Sequence, residues 1–598
     1  MERMKWLKRK KTAPELPLEP PIRLGNMSNG EFFHESTPRE QRIRAEILRQ
    51  ADDKARKLGM DRREFLASAM GMATSLSVLN LAACSKTPVG DKNQGFVDMG
   101  RSGSGGFPPS VGGAGSAGLG TINNPSSTGS AAGSGGWGGI AGSSSGSAGS
   151  YGGGSYAGGS GGYGGISGSP GSGGGGGYMI PPEATMNCAM AEDILKGDEF
   201  IFDVQTHHIE EEGEWRTTNP GYGDTLATYF AQYNACMEGD PKICIDAQAY
   251  LEQIFLNSDT TMCVLSGFPA PICHDGLMTN CGNPLDNDAM WKSRERFNML
   301  AHSQRIVNHC QVNPTDNLPL QLAIMERIKK EHNCWGFKCY PEWGPETPFA
   351  RGWRLDDPNS GIKMIEKAIE LDSKIICIHK GIVFPGWDRT TSTPEDVGIV
   401  ANMYPDVSFV VYHSAIEIDA AGEGAYNPMN SQGTDRLCRA AEVNNLFGKN
   451  MFAELGSCWA QVMNAPEKAQ HVIGKLLKYL GPDNVVWGSE CIWLGSPQPQ
   501  IEAFRTFQIS KEFQMMFGYP EITPEIRAKI FGLNSARIYK IDVAATRCRI
   551  RDTKLAKLKV DIDGELGGRR WAFTLPRGPR TRREFWNLAR RTGGHPGV

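Results

Sequence analysis

Short apolar runs recur along the later part of the chain and alternate with segments in which apolar residues return every three or four positions. Eight of the runs are rich in β-branched and aromatic residues and have the length of buried strands. They span residues 200–207, 260–267, 306–312, 336–340, 374–379, 408–413, 451–455 and 484–488. The segments with helical spacing cover residues 288–304, 318–332, 360–371, 394–403, 434–443 and 466–480.

This alternation of strand and helix predicts an α/β fold with a parallel sheet. Eight repeats predict that the sheet closes into a (β/α)8 TIM-like barrel, which we place at residues 179–543. An open, doubly wound sheet is the alternative, but no glycine-rich phosphate turn follows any of the strands. Residues 209–259 are predicted to be an inserted loop region over the barrel mouth.

The region before the barrel begins with a polar segment. Residues 1–60 are mixed in charge and show a short helical pattern near 43–58, so we expect no independent core there. Residues 61–84 follow with Arg62 and Arg63 and then a mostly uncharged apolar run. Twin arginines before a moderately apolar run predict a twin-arginine export signal.

The signal-like run ends in Leu-Ala-Ala-Cys84, which resembles the lipobox of bacterial lipoproteins. We therefore predict an exported protein, periplasmic or tethered to the membrane, with a lipid anchor at Cys84 and the twin-arginine export machinery as a partner. The next segment, residues 85–178, holds 36 of the 73 glycines and few apolar side chains. Such a composition predicts a disordered Gly/Ser-rich linker.

Charge and cysteine content limit the remaining possibilities. The formal net charge is −3 and the chain has 15 cysteines, so the overall charge gives no case for nucleic-acid binding. In an oxidising compartment Cys273 could pair with Cys281, and Cys188 with Cys236 or Cys244. The arginine-rich residues 544–598 are predicted to be a basic extension, with one short helix at 552–564, on the barrel or on a second subunit of a homodimer.

Polar side chains stand at or just after the ends of the predicted strands. The first strand carries Gln205 and His207, the fifth ends at His379, the sixth ends at His413, and Glu490 follows the eighth. The carboxyl ends of barrel strands meet at one mouth, so these side chains predict an active site. Imidazole is the commonest metal ligand and a proton carrier at neutral pH, and a catalytic divalent ion needs about three protein ligands.

Further residues near strand ends are candidates for the active site with weaker support from the sequence. Lys338 lies near the end of the fourth strand and is predicted to assist the reaction electrostatically. Glu454 in the seventh is either a partner that fixes an imidazole tautomer or a member of a salt bridge. Tryptophans near strand ends predict an aromatic substrate pocket: Trp215, Trp343, Trp387, Trp459 and Trp493. Arg351 and Arg389 are candidates to bind a substrate carboxylate.

The order Asp-Val-Gln205-Thr-His207, His379, His413 and Gly-Ser-Glu490 resembles the amidohydrolase superfamily, in particular the branch that contains aminocarboxymuconate-semialdehyde and resorcylate-type decarboxylases. The resemblance spans about residues 200–542. It implies that His207 and His379 are metal ligands and that His413 is the acid/base beside the metal, which would be zinc or manganese.

Two positions depart from the family pattern. Gln205 stands where the family has the first ligand histidine, and Glu490 stands where it has aspartate. A glutamine amide oxygen is a poor ligand for zinc and a better one for harder cations. Three interpretations stay open: a metal held through His207, His379, Glu490 and Gln205, a metal-free site that uses His413 and Glu490, and a catalytically degenerate barrel.

The predicted function is an exported amidohydrolase-related enzyme that hydrolyses a small organic amide, lactone or ester with the assistance of a metal. A non-oxidative decarboxylase of an aromatic or unsaturated acid is one alternative. The other is a non-catalytic barrel displayed as a tethered binding protein.

Overall fold

A computed structural model describes residues 18–24, 27–28, 33–84, 177–210, 213, 215–218, 221, 226, 241–269, 282–343, 352–383, 387–417, 423–430 and 432–566. The predicted linker at 85–178 lies almost wholly outside these residues. So do Arg351, three of the cysteines named above (Cys236, Cys273 and Cys281), and the last residues of the C-terminal extension.

Eight parallel strands form the sheet at the centre of the described residues. They are β1 (Phe202–Thr206), β2 (Met262–Leu265), β3 (Ile306–Gln311), β4 (Gly336–Cys339), β5 (Ile375–His379), β6 (Ser408–Tyr412), β7 (Met451–Glu454) and β8 (Val485–Val486). Each lies inside one of the eight predicted runs, and each pairs with the next strand along the chain.

Main-chain hydrogen bonds between β1 and the segment at and after β8 close the sheet into a barrel. Val204 N–H donates to the carbonyl of Trp487 (3.0 Å), and Glu490 N–H donates to the carbonyl of Gln205 (3.0 Å). His207 N–H donates to the carbonyl of Cys491 (2.6 Å). The predicted TIM-like barrel is therefore confirmed. Its closure places the first strand, β1, beside the last strand, β8.

Helices cover the outside of the barrel, as a parallel sheet requires. Those before and within the first part of the barrel are α1 (Pro38–Leu58), α2 (Arg62–Ala67), α3 (Ala69–Cys84), α4 (Cys188–Leu195), α5 (Trp215–Thr218), α6 (Ala247–Leu251), α7 (Asn287–Ala301), α8 (Leu318–His332), α9 (Gly361–Glu370) and α10 (Glu395–Met403). The later ones are α11 (Gly433–Val443), α12 (Cys458–Val462), α13 (Pro466–Tyr479), α14 (Gln498–Thr506), α15 (Lys511–Phe517), α16 (Pro524–Ala528), α17 (Asn534–Ile538), α18 (Val543–Arg551) and α19 (Lys554–Leu566). Short 3-10 or π turns lie at Pro182–Thr185, Pro241–Ile245, Glu252–Leu256, Arg389–Thr391, His413–Ala415 and Lys529–Leu533.

The N-terminal region has more structure than the sequence predicted. Helix α1 starts at Pro38, with Thr37 as its N-cap, rather than near residue 43. Helix α3 is apolar on all sides, which is typical of a buried helix, and its residues Met72 and Leu76 are fully buried in the same apolar core as the barrel helices. None of the described helices has the length and hydropathy that a membrane span needs.

Hydrogen bonds tie this N-terminal region to the barrel domain. The Asn80 side chain bonds both the N–H and the carbonyl of Tyr178 (3.0 and 2.6 Å), and the Asn464 amide donates to Glu40 (2.9 Å). The segment predicted as an export signal is thus packed against the barrel. Export and lipidation at Cys84 stay predictions.

The C-terminal extension contains two helices, α18 and α19, where one was predicted. Leu555 of α19 is buried in an apolar cluster with the β1–β2 insertion, and Lys559 donates to the carbonyl of Leu256 (3.4 Å). Of the cysteines in the described residues, Cys244 in this insertion is disulfide-bonded. Cys188 is a thiol that donates to Glu192 (3.4 Å), so the predicted pairing of Cys188 is wrong.

Candidate active site

The carboxyl ends of the strands bring four of the predicted side chains together at the barrel mouth. Gln205 lies in β1, His379 ends β5, His413 follows β6, and Glu490 follows β8, and none of the four is more than 2% exposed. We call Gln205, His379, His413 and Glu490 the mouth cluster.

His413 is the centre of this cluster. Its Nε2 is 3.5 Å from Nε2 of Gln205 and 3.9 Å from Oε1 of Glu490. Its ring is 4.8 Å from the ring of His379, centroid to centroid, in an edge-on arrangement. Residues far apart in the chain therefore meet around one imidazole, as the closure of the barrel requires.

His207 is held by a different set of contacts. Its Nδ1 lies 2.7 Å from the carbonyl oxygen of Ser266, and its ring is stacked on Trp493 at 5.6 Å. His208, the next residue, bonds Ser293 through Nε2 (2.9 Å) and is thus turned toward helix α7. The alternation of side chains along the strand explains this difference.

The ring hydrogen bonds set the imidazole tautomers. A carbonyl oxygen only accepts, so Ser266 requires a proton on Nδ1 of His207, and the Gly456 carbonyl, 2.8 Å away, requires one on Nδ1 of His413. In their neutral forms both rings then carry the lone pair on Nε2. For His413 this is the nitrogen that faces Gln205 and Glu490.

Glu342 is a member of the site that was not predicted from the sequence. It follows β4 by three residues, is fully buried, and places Oε1 3.2 Å from Nδ1 of His379. The one signal in the sequence was an acidic residue in a loop after a barrel strand, and that signal is common to many structural carboxylates.

Two of the site residues have left-handed backbone conformations that non-glycine residues rarely adopt. The φ angle is 59° at His413 and 60° at Glu490. Hydrogen bonds hold both: Glu454 Oε2 accepts the His413 N–H (2.9 Å), and the Gln205 carbonyl accepts the Glu490 N–H. Such conformations persist where the surroundings stabilise them, and they cluster at functional sites.

Glu454 therefore acts on the main chain of His413, and the prediction that it fixes an imidazole tautomer is wrong. The Gly456 carbonyl does that instead. Burial raises the pKa of Glu454 to about 8, and the hydrogen bonds from the His413 and Gly456 N–H groups oppose this rise. In the same way burial raises the pKa of Asp203 to about 7, against hydrogen bonds from Ser489 and Gln205.

Lys338 lies inside the barrel, between two aromatic rings. Its Nζ is 3.7 Å from the ring centroid of Tyr340 and 4.2 Å from that of Tyr412. The ammonium group is thus held by cation–π contacts, and it lowers the pKa of Glu454. Its electrostatic role in a reaction stays a prediction.

Aromatic rings surround the histidines. Tyr340 stacks on His379 at 4.8 Å, and Trp387 meets the same ring edge-on at 5.6 Å. Trp459, in contrast, packs against Phe504 and donates its indole N–H to Gln500, so it belongs to the helical layer. Arg389 is exposed on a short turn.

The imidazole nitrogens, carboxylate oxygens and amide oxygen at the barrel mouth are types of ligand atom that divalent ions bind. Metal-bound histidines as a rule donate their second ring N–H to a carbonyl or carboxylate. Nδ1 of His207 has such a partner in the Ser266 carbonyl, whereas Nδ1 of His379 lies 3.2 Å from Glu342 without the alignment of a hydrogen bond. Gln205 adds an amide oxygen that is buried and has no hydrogen-bond partner within the described residues. The side chains are, however, spaced more widely than metal ligands are. Within those residues no three His, Cys, Asp or Glu side chains converge closely enough to enclose a metal.

Residues 296–541 match the family model described as Amidohydrolase. No curated protein matches the chain by sequence.

The chain is also similar to several solved structures. A probable 2-pyrone-4,6-dicarboxylic acid hydrolase from Acinetobacter baumannii is 12% identical (57% of this chain, 99% of that chain, TM-score 0.33). A 5-carboxyvanillate decarboxylase from Sphingomonas paucimobilis is 13% identical (58% and 100%, TM-score 0.35). A dihydroxybenzoic acid decarboxylase from Polaromonas with bound manganese is 13% identical (58% and 99%, TM-score 0.34).

The matched segment runs from helix α7 to the residues after α17, and it includes Lys338, His379, His413 and Glu490. Gln205 and His207 precede it and join the same mouth through β1. Over residues 296–541 this protein is thus similar to the amidohydrolase family, and its own fold is a closed parallel barrel.

Proposed function

We propose that this protein hydrolyses a small organic amide, lactone or ester, with His413 as the proton carrier. The observation that carries the proposal is the placement of His413. Its Nδ1 is held by the Gly456 carbonyl, and its Nε2 faces Glu490 and Gln205 in a fully buried position. A positioned imidazole of this kind is the commonest general acid–base group in enzymes.

The proton transfers follow from that geometry. As water attacks the substrate carbonyl, His413 Nε2 takes a proton from the water, and the imidazolium then returns it to the departing nitrogen or oxygen. Glu490, 3.9 Å away, stabilises the imidazolium while it exists. Exclusion of bulk water strengthens this attraction.

A divalent ion would be held by His207, His379, Glu490 and Gln205, and when bound it supplies Lewis acidity for the substrate carbonyl. The amide oxygen of Gln205 favours manganese over zinc, because it is a hard, neutral ligand. The metal-free interpretation keeps His413 and Glu490 as the reacting pair.

Non-oxidative decarboxylation of an aromatic or unsaturated acid is the second candidate. The observation that favours it is the pair of rings, Tyr340 and Trp387, beside His379. A planar substrate could stack there, and His413 would then protonate the carbon that loses carbon dioxide. The exposed position of Arg389 gives no support for a carboxylate anchor at that residue.

We expect His413→Gln to lower the rate of the reaction by a factor of about 10²–10⁴, the usual contribution of a positioned acid–base group. The full chain, supplied with Mn²⁺ or Zn²⁺, would be assayed against panels of esters, lactones and amides, and for carbon dioxide release from hydroxybenzoates. His302→Gln, at an exposed histidine, is the control.

The outcomes separate the candidates. Ester, lactone or amide cleavage that depends on His413 supports hydrolysis, and carbon dioxide release that depends on it supports decarboxylation. A site without turnover, whose His413→Gln variant still binds the panel compounds, would indicate the tethered binding protein.

We also propose that the protein works outside the cytoplasm, in the periplasm or on the cell envelope. The disulfide at Cys244 supports this location, because disulfides persist mainly in oxidising compartments. The export machinery as a partner and a homodimer remain parts of this proposal. The lipid anchor at Cys84 is an alternative form of it, because lipidation there follows cleavage before Cys84 and would remove α3 (Ala69–Cys84).

A further inference from the structure

Three buried side chains of the mouth cluster turn polar atoms toward one another. Nε2 of His413 is 3.5 Å from Nε2 of Gln205 and 3.9 Å from Oε1 of Glu490. Both separations are longer than the usual hydrogen-bond length of about 2.7–3.2 Å. We call these three atoms the polar triangle. None of the three side chains is more than 2% exposed, so the triangle is shielded from bulk water.

The tautomer of His413 decides which side of the Gln205 amide faces the triangle. The Gly456 carbonyl, 2.8 Å from Nδ1, requires the ring proton on that nitrogen, so Nε2 of the neutral ring carries a lone pair. A lone pair attracts an amide N–H and repels an amide oxygen, and such contacts decide between the two orientations of a glutamine amide. Gln205 therefore presents its N–H to the triangle.

The amide oxygen of Gln205 lies on the side of Gly456. A Cβ at this glycine would come within 2.3 Å of the oxygen, so the missing side chain of Gly456 leaves room for it. Within the described residues the oxygen has no hydrogen-bond partner, and the amide nitrogen has only the long contact with His413. A buried amide with so few hydrogen bonds destabilises the fold, and a molecule bound at the triangle would offset part of that cost.

A water molecule matches the donor and the acceptors of the polar triangle. One water oxygen at about 2.8 Å from each of two atoms spans separations up to about 5.6 Å, which includes both measured sides. It would accept from the Gln205 N–H and donate to His413 and Glu490, which makes the roughly three hydrogen bonds of a buried water. A metal ion does not match, because an N–H repels a cation and because no three His, Cys, Asp or Glu side chains of the described residues converge on one.

We propose that the polar triangle holds the attacking water and that Gln205 is the catalytic residue that orients it. This role rests on the proposed function and takes its metal-free form. The water directs one hydrogen to His413 and the other to Glu490, and one of its lone pairs accepts the Gln205 N–H. Its second lone pair then points at the substrate carbonyl.

The reaction step balances with these groups alone. The water oxygen forms a bond to the carbonyl carbon while one water proton passes to Nε2 of His413. The bond from that carbon to the departing nitrogen or oxygen then breaks, and the same proton leaves with the departing group. Gln205 keeps its N–H throughout and neither gains nor loses a proton.

Gln205→Leu tests the role by removing the amide from a buried position. The full-length chain would be freed of metal with EDTA and assayed on the panel of esters, lactones and amides, with 4-nitrophenyl acetate as the reference ester. We expect the metal-free wild type to keep its full kcat and Gln205→Leu to lose about 10–100-fold in kcat, the effect of one lost hydrogen bond in the transition state. KM should change little, because the amide holds the water rather than the substrate.

The matched control is Gln470→Leu, at a fully buried glutamine on α13. Its side-chain oxygen accepts the N–H of Ser510 (2.8 Å), away from the mouth cluster. This variant should keep the kcat of the wild type. An equal loss in both variants, or a metal-free wild type that needs Mn²⁺ or Zn²⁺ to regain activity, would overturn the inference.

A second measurement does not depend on turnover. A crystal structure of the full-length protein, with anomalous scattering recorded for manganese and zinc, would show what lies at the triangle. We expect a water oxygen within about 3.2 Å of Nε2 of Gln205 and Nε2 of His413, and its loss in Gln205→Leu. A metal ion there, or no ordered oxygen in the wild type, would contradict the proposed role.

The two measurements fail separately. If the wild type cleaves no panel compound with or without metal, the proposed function is wrong, and the crystal structure alone decides whether Gln205 binds a water. If the wild type is active and Gln205→Leu is equally active, the role of Gln205 is wrong and the proposed function stands. Should Gln205→Leu fail to fold, Gln205→Asn carries both measurements, because its amide is one methylene shorter. A lower kcat and a lost water are then the expected results, and wild-type behaviour is the contrary one.

Discussion

The ring of His471 on α13 packs against Phe513 and Phe517, and its Nδ1 is 3.1 Å from the hydroxyl of Tyr519. Burial lowers the pKa of His471 from 6.5 to about 4, and the charge of Lys475 lowers it further, against the raising effect of Asp435. The side chain is therefore neutral in the folded protein at pH values where the unfolded chain binds a proton. This titration is remote from the mouth cluster and can be measured by itself.

We expect His471 to make the stability fall as the pH falls from about 6.5 to about 4. The folded pKa is the lower one, so the unfolded state binds the extra proton in this window and acidification favours unfolding. The free energy of unfolding, measured in denaturant at pH 7, 6 and 5, should fall less for His471→Gln than for the wild type. Equal slopes in the two proteins would contradict the assignment.

Asp203 and Glu454 show the opposite effect of burial on carboxyl groups. Their pKa values are raised to about 7 and about 8, so protonation favours the folded state, and their contribution to stability is lost as the pH rises through those values. Asp203 bonds Ser489 N–H at 3.0 Å and thereby joins β1 to the segment after β8. The sequence showed both acids but not their distant partners, because Ser489 and His413 follow other strands than the ones that carry these acids.

At the scale of elements, the packing of helix α3 bears on whether this segment stays in the mature protein or is cleaved off as an export signal. It is buried between α1 and the barrel helices, and α1 turns an apolar stripe, Ile43, Ile47, Ala51 and Ala55, toward this interior. Such a stripe has a partner only while α3 stays in place. We therefore expect the mature protein to keep α3.

Leu76→Ala and Leu81→Ala form a matched pair on that helix. Leu76 is fully buried and Leu81 is 62% exposed. If α3 belongs to the mature fold, Leu76→Ala should lower the free energy of unfolding by about 2–5 kcal/mol, the cost of a cavity in a packed core, and Leu81→Ala should have little effect. Denaturant unfolding and intact mass of the protein purified from its own host would be measured together.

A mature chain that begins at or after Cys84 would contradict this expectation. It would instead favour the removed export signal with the lipobox-like end, and α1 would be lost with it.

The insertion after β1 and the C-terminal helix α19 join distant parts of the whole molecule. Leu555 and Lys559 pack on the insertion that carries Cys244. We expect Cys244→Ser to lower the free energy of unfolding by about 2–4 kcal/mol under oxidising conditions, because a disulfide restricts the unfolded chain. The control is Cys548→Ser, at an exposed thiol.

Reducing agent should destabilise the wild type and leave Cys244→Ser unchanged. If reduction has no effect on the wild type, the disulfide does not stabilise the fold, and Cys244 gives no support for an oxidising compartment. Denaturant unfolding with and without the reductant measures this directly.

Sequence periodicity by itself determined the eight strands, most of the helices between them and the positions of Gln205, His207, His379, His413 and Glu490 at one end of the sheet. It could do so because the apolar spacing of a strand or helix is a local property, and because parallel strands in a closed barrel all end at the same mouth. The helix bounds differed from the prediction by a few residues, where capping rather than apolar spacing sets the end.

Only the tertiary structure decided that Glu342 lies beside His379, that Glu454 holds the main chain of His413, and that α3 packs on the barrel. Each of these three contacts depends on which side chains from separate loops or helices meet. The spacing of apolar residues along the chain does not specify such contacts. For α3, an apolar run reads the same whether a membrane, a translocation machinery or a protein core surrounds it. The physical reason is that burial is a property of the neighbours, and the neighbours are chosen by the fold.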